Sequence, residues 1–220
     1  MGQKKIENNM ADNYLGKKME DHYAASATKS RKSHPSLSKL LLRNRSHRAY
    51  DVSFQVREDQ LRRIIEVNRY TPSAHNQQVL RFRMVLSNEA DKVLPHIKLG
   101  AAMPELHLPA AGSEPRAFII ICSTVEESRF VDIDLGISAQ SMLLQATEIG
   151  LNGICIAAFD KQRIKEQFNL PYEPLMILAI GRGTDNIVLT DITANESHNY
   201  YRQEGVHYVP KLTTEELIIE

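Results

Sequence analysis

The sequence predicts a mixed α+β sandwich over residues 35–220, and three observations carry that expectation. Phe118-Ile-Ile-Ile-Cys122 is a short unbroken apolar run, the pattern of a strand covered on both faces. Leu135, Ala139, Met142, Ala146 and Ile149 recur at steps of four, three, four and three, the stripe of a helix with one side in a core. Two further apolar runs, 153–157 and 175–180, leave room for one helix between them, so helices alternate with few strands.

Composition sets the outer limits. A chain of 220 residues suffices for one domain that buries about 70% of its unfolded surface without a disulfide or metal staple. Lys and Arg number 27 and so do Asp and Glu. That balance argues against a protein that coats nucleic acid, whose affinity comes mainly from neutralising phosphates. With 42% hydrophobic and 25% charged residues, wholesale disorder is excluded. The absence of Trp and an aromatic content of 6% argue against a base-stacking surface. The charge balance conceals an asymmetry: residues 1–48 hold 11 Lys and Arg against 4 Asp and Glu. Residues 1–34 are therefore expected to form a basic, partly disordered N-terminal arm, preceding a single domain over 35–220. Cys122 and Cys155 sit far apart in apolar runs and are expected to be buried free thiols. The N-terminus lacks an apolar signal core and no stretch is long enough to span a bilayer, so a soluble, cytoplasmic protein is expected.

The elements follow in order. Pro35-Ser36 opens a short helix through Leu37, Leu40, Leu41 and Leu42. Asp59 is a candidate N-cap for a second helix carrying Leu61, Ile64, Ile65 and Val67, which must stop before Pro72. Residues 81–86 alternate as a strand. The stretch from about 88 to 115, with Pro95, Pro104, Pro109 and Pro115, reads as an excursion outside the sheet. The long helix is expected from Asp134 to about Glu148, with Asp132 and Asp134 facing its N-terminal dipole and Gly150 ending it. A strand over 153–157, a helix over 160–168 and a strand over 175–180 come next, and a polar segment completes the chain.

Common catalytic signatures are missing: no G-x-S-x-G elbow and no HExxH occur, and the eight histidines show no metal spacing and are expected on the surface or in loops. Gly181-Arg-Gly183-Thr-Asp begins like a dinucleotide fingerprint but has no third glycine and no clear helix after it. Three segments remain. Arg43-Asn-Arg-Ser-His-Arg48 offers guanidinium groups and a hydroxyl suited to phosphate. Pro72-Ser-Ala-His-Asn-Gln-Gln78 offers side-chain amides able to read the edge of a planar heterocycle. The small residues of the stretch from Gly150 to Ala158 bring backbone N–H groups within reach of a ligand. Alone, the first is a solvated charge run, the second an ordinary loop and the third a helix stop before a buried strand.

Their order and spacing resemble the nitroreductase family of FMN-dependent oxidoreductases. An R-S-x-R cluster precedes a P-S-A-x-N-x-Q loop by about 27 residues, and a D-x-G-x-x-x-Q helix runs into G-L-x-G, over residues 36–220 in all. Tyr200-Tyr-Arg-Gln-Glu-Gly-Val-His-Tyr-Val-Pro-Lys211 resembles the tail of a bacterial branch. The resemblance implies a nitroreductase-like mixed sheet flanked by helices, in a domain-swapped homodimer with FMN in the subunit interface. It implies that Arg45, Ser46 and Arg48 hold the FMN phosphate and ribityl chain, with Lys211 as a second phosphate contact. It implies that Pro72, Ser73, Ala74 and Asn76 of the opposite subunit line the isoalloxazine with Gln78 nearby, and that Ile156, Ala157 and Ala158 present backbone N–H groups to the flavin N5 region. The implied activity is ping-pong: NADH or NADPH reduces the flavin, and a small aromatic acceptor such as a nitroaromatic or quinone takes the electrons, with no catalytic side chain, metal, nucleic acid or membrane involved. The alternative is a flavin-binding protein without turnover, for storage or sensing. Departures stand at Asn44, where the family usually has arginine, at Val79-Leu80, where Pro-Trp is common, and at Ala157, often acidic.

Overall fold

A computed structural model describes residues 35–100 and 108–219, so the expected arm over 1–34 lies outside the described residues. Seven strands and five helices follow in the described chain: α1 (Leu37–Arg43), α2 (Glu58–Glu66), β1 (Leu80–Val85), β2 (Ala117–Ser123), α3 (Arg129–Glu148), β3 (Asn152–Ile156), α4 (Lys161–Gln167), β4 (Glu173–Gly181), β5 (Asn186–Ile192), β6 (Tyr201–Gln203), β7 (Val206–Leu212) and α5 (Thr214–Leu217). The first sheet has the order β1-β2-β4-β3 and is antiparallel throughout. A second sheet, β5-β7-β6, pairs β5 with β7 in parallel and β6 with β7 antiparallel.

Strand β2 shows why its apolar run is unbroken: all seven of its residues are buried. Ile119 and Ile121 face one core with Leu61 and Ile64 of α2 and Leu135, Ala139, Met142 and Ala146 of α3. Phe118, Ile120 and Cys122 face the other, with Ile164 of α4 and with Tyr50, Ala90, Val93 and Leu99. The strand's twofold alternation thus supplies two cores from one run. The stretch after β1 is without strands among its described residues, as expected, yet Ala90, Val93 and Leu99 fold back to close the second core.

Three local expectations change. Arg57 rather than Asp59 caps α2: its N–H donates to Gln60 Oε1 at 3.0 Å, while Asp59 accepts from its guanidinium at 2.8 and 2.9 Å. The helix α3 begins five residues before Asp134, at Arg129, because the Ser128 hydroxyl accepts from the Val131 N–H. Asp134 therefore sits inside the helix, 6% exposed. The third change is the polar C-terminal segment, which forms the whole second sheet. At the other end of α3 Gly150 takes φ +81°, the left-handed stop its position called for. Among the described residues no helix is long and apolar enough to cross a membrane.

A basic cleft between the two sheets

The cleft is built at the free edge of β3. Ser46 bridges Gly153 in parallel and the His47 N–H donates to the Gly153 carbonyl at 3.3 Å, so the segment after α1 covers the edge strand. Next, Tyr50 bridges Gly183, and hydrogen bonds from Thr184 N–H to Ala49 O at 3.0 Å and from Asp51 N–H to Arg182 O at 2.9 Å stitch residues 49–51 to the end of β4. Gly183 lacks a side chain for a local reason: a Cβ there would stand 2.2 Å from the His47 ring.

Arg45, Ser46 and Arg48 thereby face a cleft of about 390 Å3, together with Asn44, Gln140, Gly153 and Cys155. The second sheet forms the opposite wall. His207, Val209 and Lys211 alternate along β7 and all three line the cleft, with Ile187 of β5 and Tyr200. None of the described residues lining it is acidic. Arg45 spends Nη2 on the Leu41 carbonyl at 2.7 Å and Arg48 spends Nη1 on the Ser46 carbonyl at 3.2 Å. The Nε atoms of both are buried without a partner, as is His207 Nδ1. The Arg48 guanidinium stands 5.3 Å from the centre of the Tyr200 ring, which meets His207 edge-on at 5.2 Å.

Burial pushes the His47 imidazole below its usual value, with Asp185 pulling it back up and Arg48 adding to the depression. Burial does the same to His207, aided by Arg48 and Arg202 and opposed by Asp185. Loss of hydration also lowers Arg45, which stays a cation because guanidinium is not deprotonated in proteins. Cys122 is buried as expected, but Cys155 is exposed to the cleft, where partial desolvation raises its thiol to about 11. Of the histidines expected on the surface or in loops, His47 lies in a loop but is buried, and His207 is buried on β7.

The other expected site residues lie elsewhere on the chain. Pro72, Ser73 and Gln78 line a small cavity of about 60 Å3 with Asn68, Asp134 and Ser138, apart from the basic cleft. Asp134 holds this loop: it accepts from Ser73 Oγ at 2.8 Å and from the Ala74 N–H at 2.9 Å, while Ser73 Oγ accepts from the Gln78 N–H at 2.9 Å. His75, Asn76 and Gln78 take φ of 51°, 54° and 49°, left-handed values without glycine, a local strain of the kind held at ligand-binding loops. Ala74 is half-buried and Asn76 exposed. On β3, Ile156 is buried in the second core, and Ala157 and Ala158 are exposed beyond the strand end. Asp134→Ala should leave the Ser73 hydroxyl and the Ala74 N–H without their acceptor and cost about 2 kcal/mol, read as a lower urea midpoint at unchanged slope.

Sequence reasoning gives His207 and Tyr200 no place in the site, whereas Asn44 and Cys155 lie within the candidate segments 43–48 and 150–158 without a role of their own. The signal for His207 was present: it stands at even spacing from Val209 and Lys211, but nothing marked that segment as a strand.

An α+β chain with a basic cleft along a sheet edge, without an acidic residue among its described lining, is the class the geometry defines. The nitroreductase family model matches residues 41–182, and the chain belongs to that family. No curated protein matches. A nitroreductase family protein from Clostridium difficile 630 is 25% identical, with a TM-score of 0.55, 68% of this chain and 86% of that one covered. One from Streptococcus pneumoniae TIGR4 is 15% identical, with a TM-score of 0.60, covering 84% and 100%. A protein from Exiguobacterium sibiricum 255-15 solved in complex with FMN is 20% identical, with a TM-score of 0.57, covering 70% and 91%. The latter two share the fold.

Proposed function

We propose that the protein is an FMN-dependent oxidoreductase that passes electrons from NADH or NADPH to a small aromatic acceptor such as a nitroaromatic or quinone. The observation that carries this is the cleft itself: Arg45, Arg48 and Lys211 around Ser46, no carboxylate among the described lining residues, and two buried Nε donors unspent. That donor set fits a phosphate, which takes charge-assisted hydrogen bonds from guanidinium forks and a hydroxyl. Leu143, Ile187 and Val209 add an apolar wall for a less polar portion of the ligand. FMN bound there supplies the redox chemistry, and the chain supplies binding, orientation and electrostatics.

Residues 45, 46, 48 and 211 hold the phosphate end in this reading. The loop Pro72–Gln78 would serve the ring end from a second copy of the chain, in a domain-swapped homodimer. Two facts support that arrangement. The loop lines a different cavity from the cleft of its own chain. It also adjoins an uncovered apolar face, since His75 meets Phe130 edge-on at 5.7 Å and Phe130 and Ile133 of α3 are 57% and 46% exposed. Backbone N–H groups at 156–158 would approach the flavin ring from β3.

The test is a visible spectrum of the purified chain after reconstitution with FMN, followed by steady-state oxidation of NADH and NADPH with a quinone or nitroaromatic acceptor. Bound flavin and turnover with at least one donor are expected. A reconstituted chain without flavin overturns the cofactor assignment. Yellow protein that neither nicotinamide reduces assigns the fold to flavin storage or sensing instead.

A further inference from the structure

Asp185 lies outside the family motifs, in the Gly181-Arg-Gly-Thr-Asp stretch, and it does not line the basic cleft. Its side chain is 5% exposed and fully engaged. Oδ2 accepts from the backbone N–H groups of Arg48 at 2.6 Å and Ala49 at 2.9 Å, and Oδ1 accepts from Arg202 Nη2 at 2.7 Å. The His47 ring stands 3.8 Å away. One carboxylate thus ties together the turn carrying Ser46 and Arg48, the connection from β4 to β5, and β6 of the second sheet, whose partner β7 carries His207 and Lys211.

We propose that Asp185 is a positioning residue for anion binding: it holds the Arg48 turn against the second sheet so that both walls of the cleft present their cations to one phosphate. This rests on the reading of the cleft as an FMN site. Two effects of Asp185 on that site oppose each other. As a charge, a carboxylate beside Arg48 weakens the attraction for an anion. As an acceptor, it fixes where the Arg48 backbone lies, and a donor set out of place loses its hydrogen bonds. Positioning outweighs charge here, so removing the negative charge weakens phosphate binding, opposite in sign to simple electrostatics.

Asp185→Asn tests this, because an amide offers one acceptor oxygen and its NH2 is a donor, so it cannot serve both the backbone pair and Arg202. Full-length wild type and variant are titrated with FMN and with riboflavin, which lacks the phosphate. The variant is expected to lose about tenfold or more in FMN affinity, the worth of one charge-assisted hydrogen bond, with riboflavin affinity unchanged. Unchanged or tighter FMN binding overturns the proposal, and so does an equal loss for both ligands, which marks a general defect. Wild type that binds neither ligand overturns the FMN reading itself and is thereby distinguished. Should the variant fail to fold, wild-type hydrogen exchange decides. The Arg48 and Ala49 amides are expected to exchange slowly, and more slowly still with FMN but not with riboflavin; exchange at the rate of exposed chain overturns the proposal.

Discussion

The chain with both Arg45→Ala and Arg48→Ala is expected to purify colourless and to bind FMN a hundredfold to ten-thousandfold more weakly than wild type. Hydrogen bonds to charged groups contribute about 1.5–3 kcal/mol each, and two lost guanidinium groups accumulate to roughly that range of affinity. Fluorescence titration measures it, with riboflavin as the companion ligand, since a phosphate contact matters only to the ligand that has one. The loss should shrink as salt rises, because the wild-type attraction is partly long-range. Stability should fall only modestly, because the contacts given up are the hydrogen bonds to the Leu41 and Ser46 carbonyls and the stacking of Arg48 on Tyr200 at the cleft rim. Full retention of FMN by the double variant would place the phosphate away from these residues.

Gly153→Ala should be strongly damaging, costing about 3 kcal/mol or more, at the upper end of overpacking effects. A Cβ on Gly153 would stand 2.6 Å from the Ala179 carbonyl oxygen and 2.6 Å from Leu143 Cδ2. The first of these is backbone of the neighbouring strand β4, paired with β3, and it cannot rotate away. Relief requires β3 to shift, and β3 carries the bridge to Ser46 and the acceptor for the His47 N–H. Equilibrium unfolding in urea gives the stability loss, and FMN titration of the surviving folded protein should show weaker binding. A variant as stable as wild type would mean the strand spacing adapts without cost.

How much of this was legible in the chain differs by element. Phe118–Cys122 is legible as a strand because one buried on both faces needs no alternation and shows none. The apolar stripe of α3 shows its period and its glycine stop, but the acidic pair marks a start five residues too late, since the helix begins at Arg129. Asp134 looked like a dipole partner, whereas it serves as the acceptor for a loop 60 residues earlier in the chain. A carboxylate near a helix start reads the same in both roles, and only its distant partner separates them. The C-terminal strands β5 to β7 were missed for a related reason. β7 pairs in parallel with β5 and is mostly half-buried, so its polar residues hide the strand pattern while lining the cleft.

Site residues divide the same way. Arg45, Ser46 and Arg48 are neighbours in sequence, so their convergence was set by a local turn. Lys211 reaches them only because the second sheet stands across the cleft.

The sequence by itself determined what depends on nearest neighbours and on period: the strands and helices of residues 37–181, the glycine stop at 150 and the guanidinium cluster near its beginning. Tertiary structure alone decided which charges meet. Asp185 is 137 residues from the backbone N–H it accepts from, and His207 and Lys211 gain their role by facing Arg48 across a cleft. Hydrogen bonds and screened charges act over a few ångströms, and no spacing along the chain encodes which distant groups folding will bring that close.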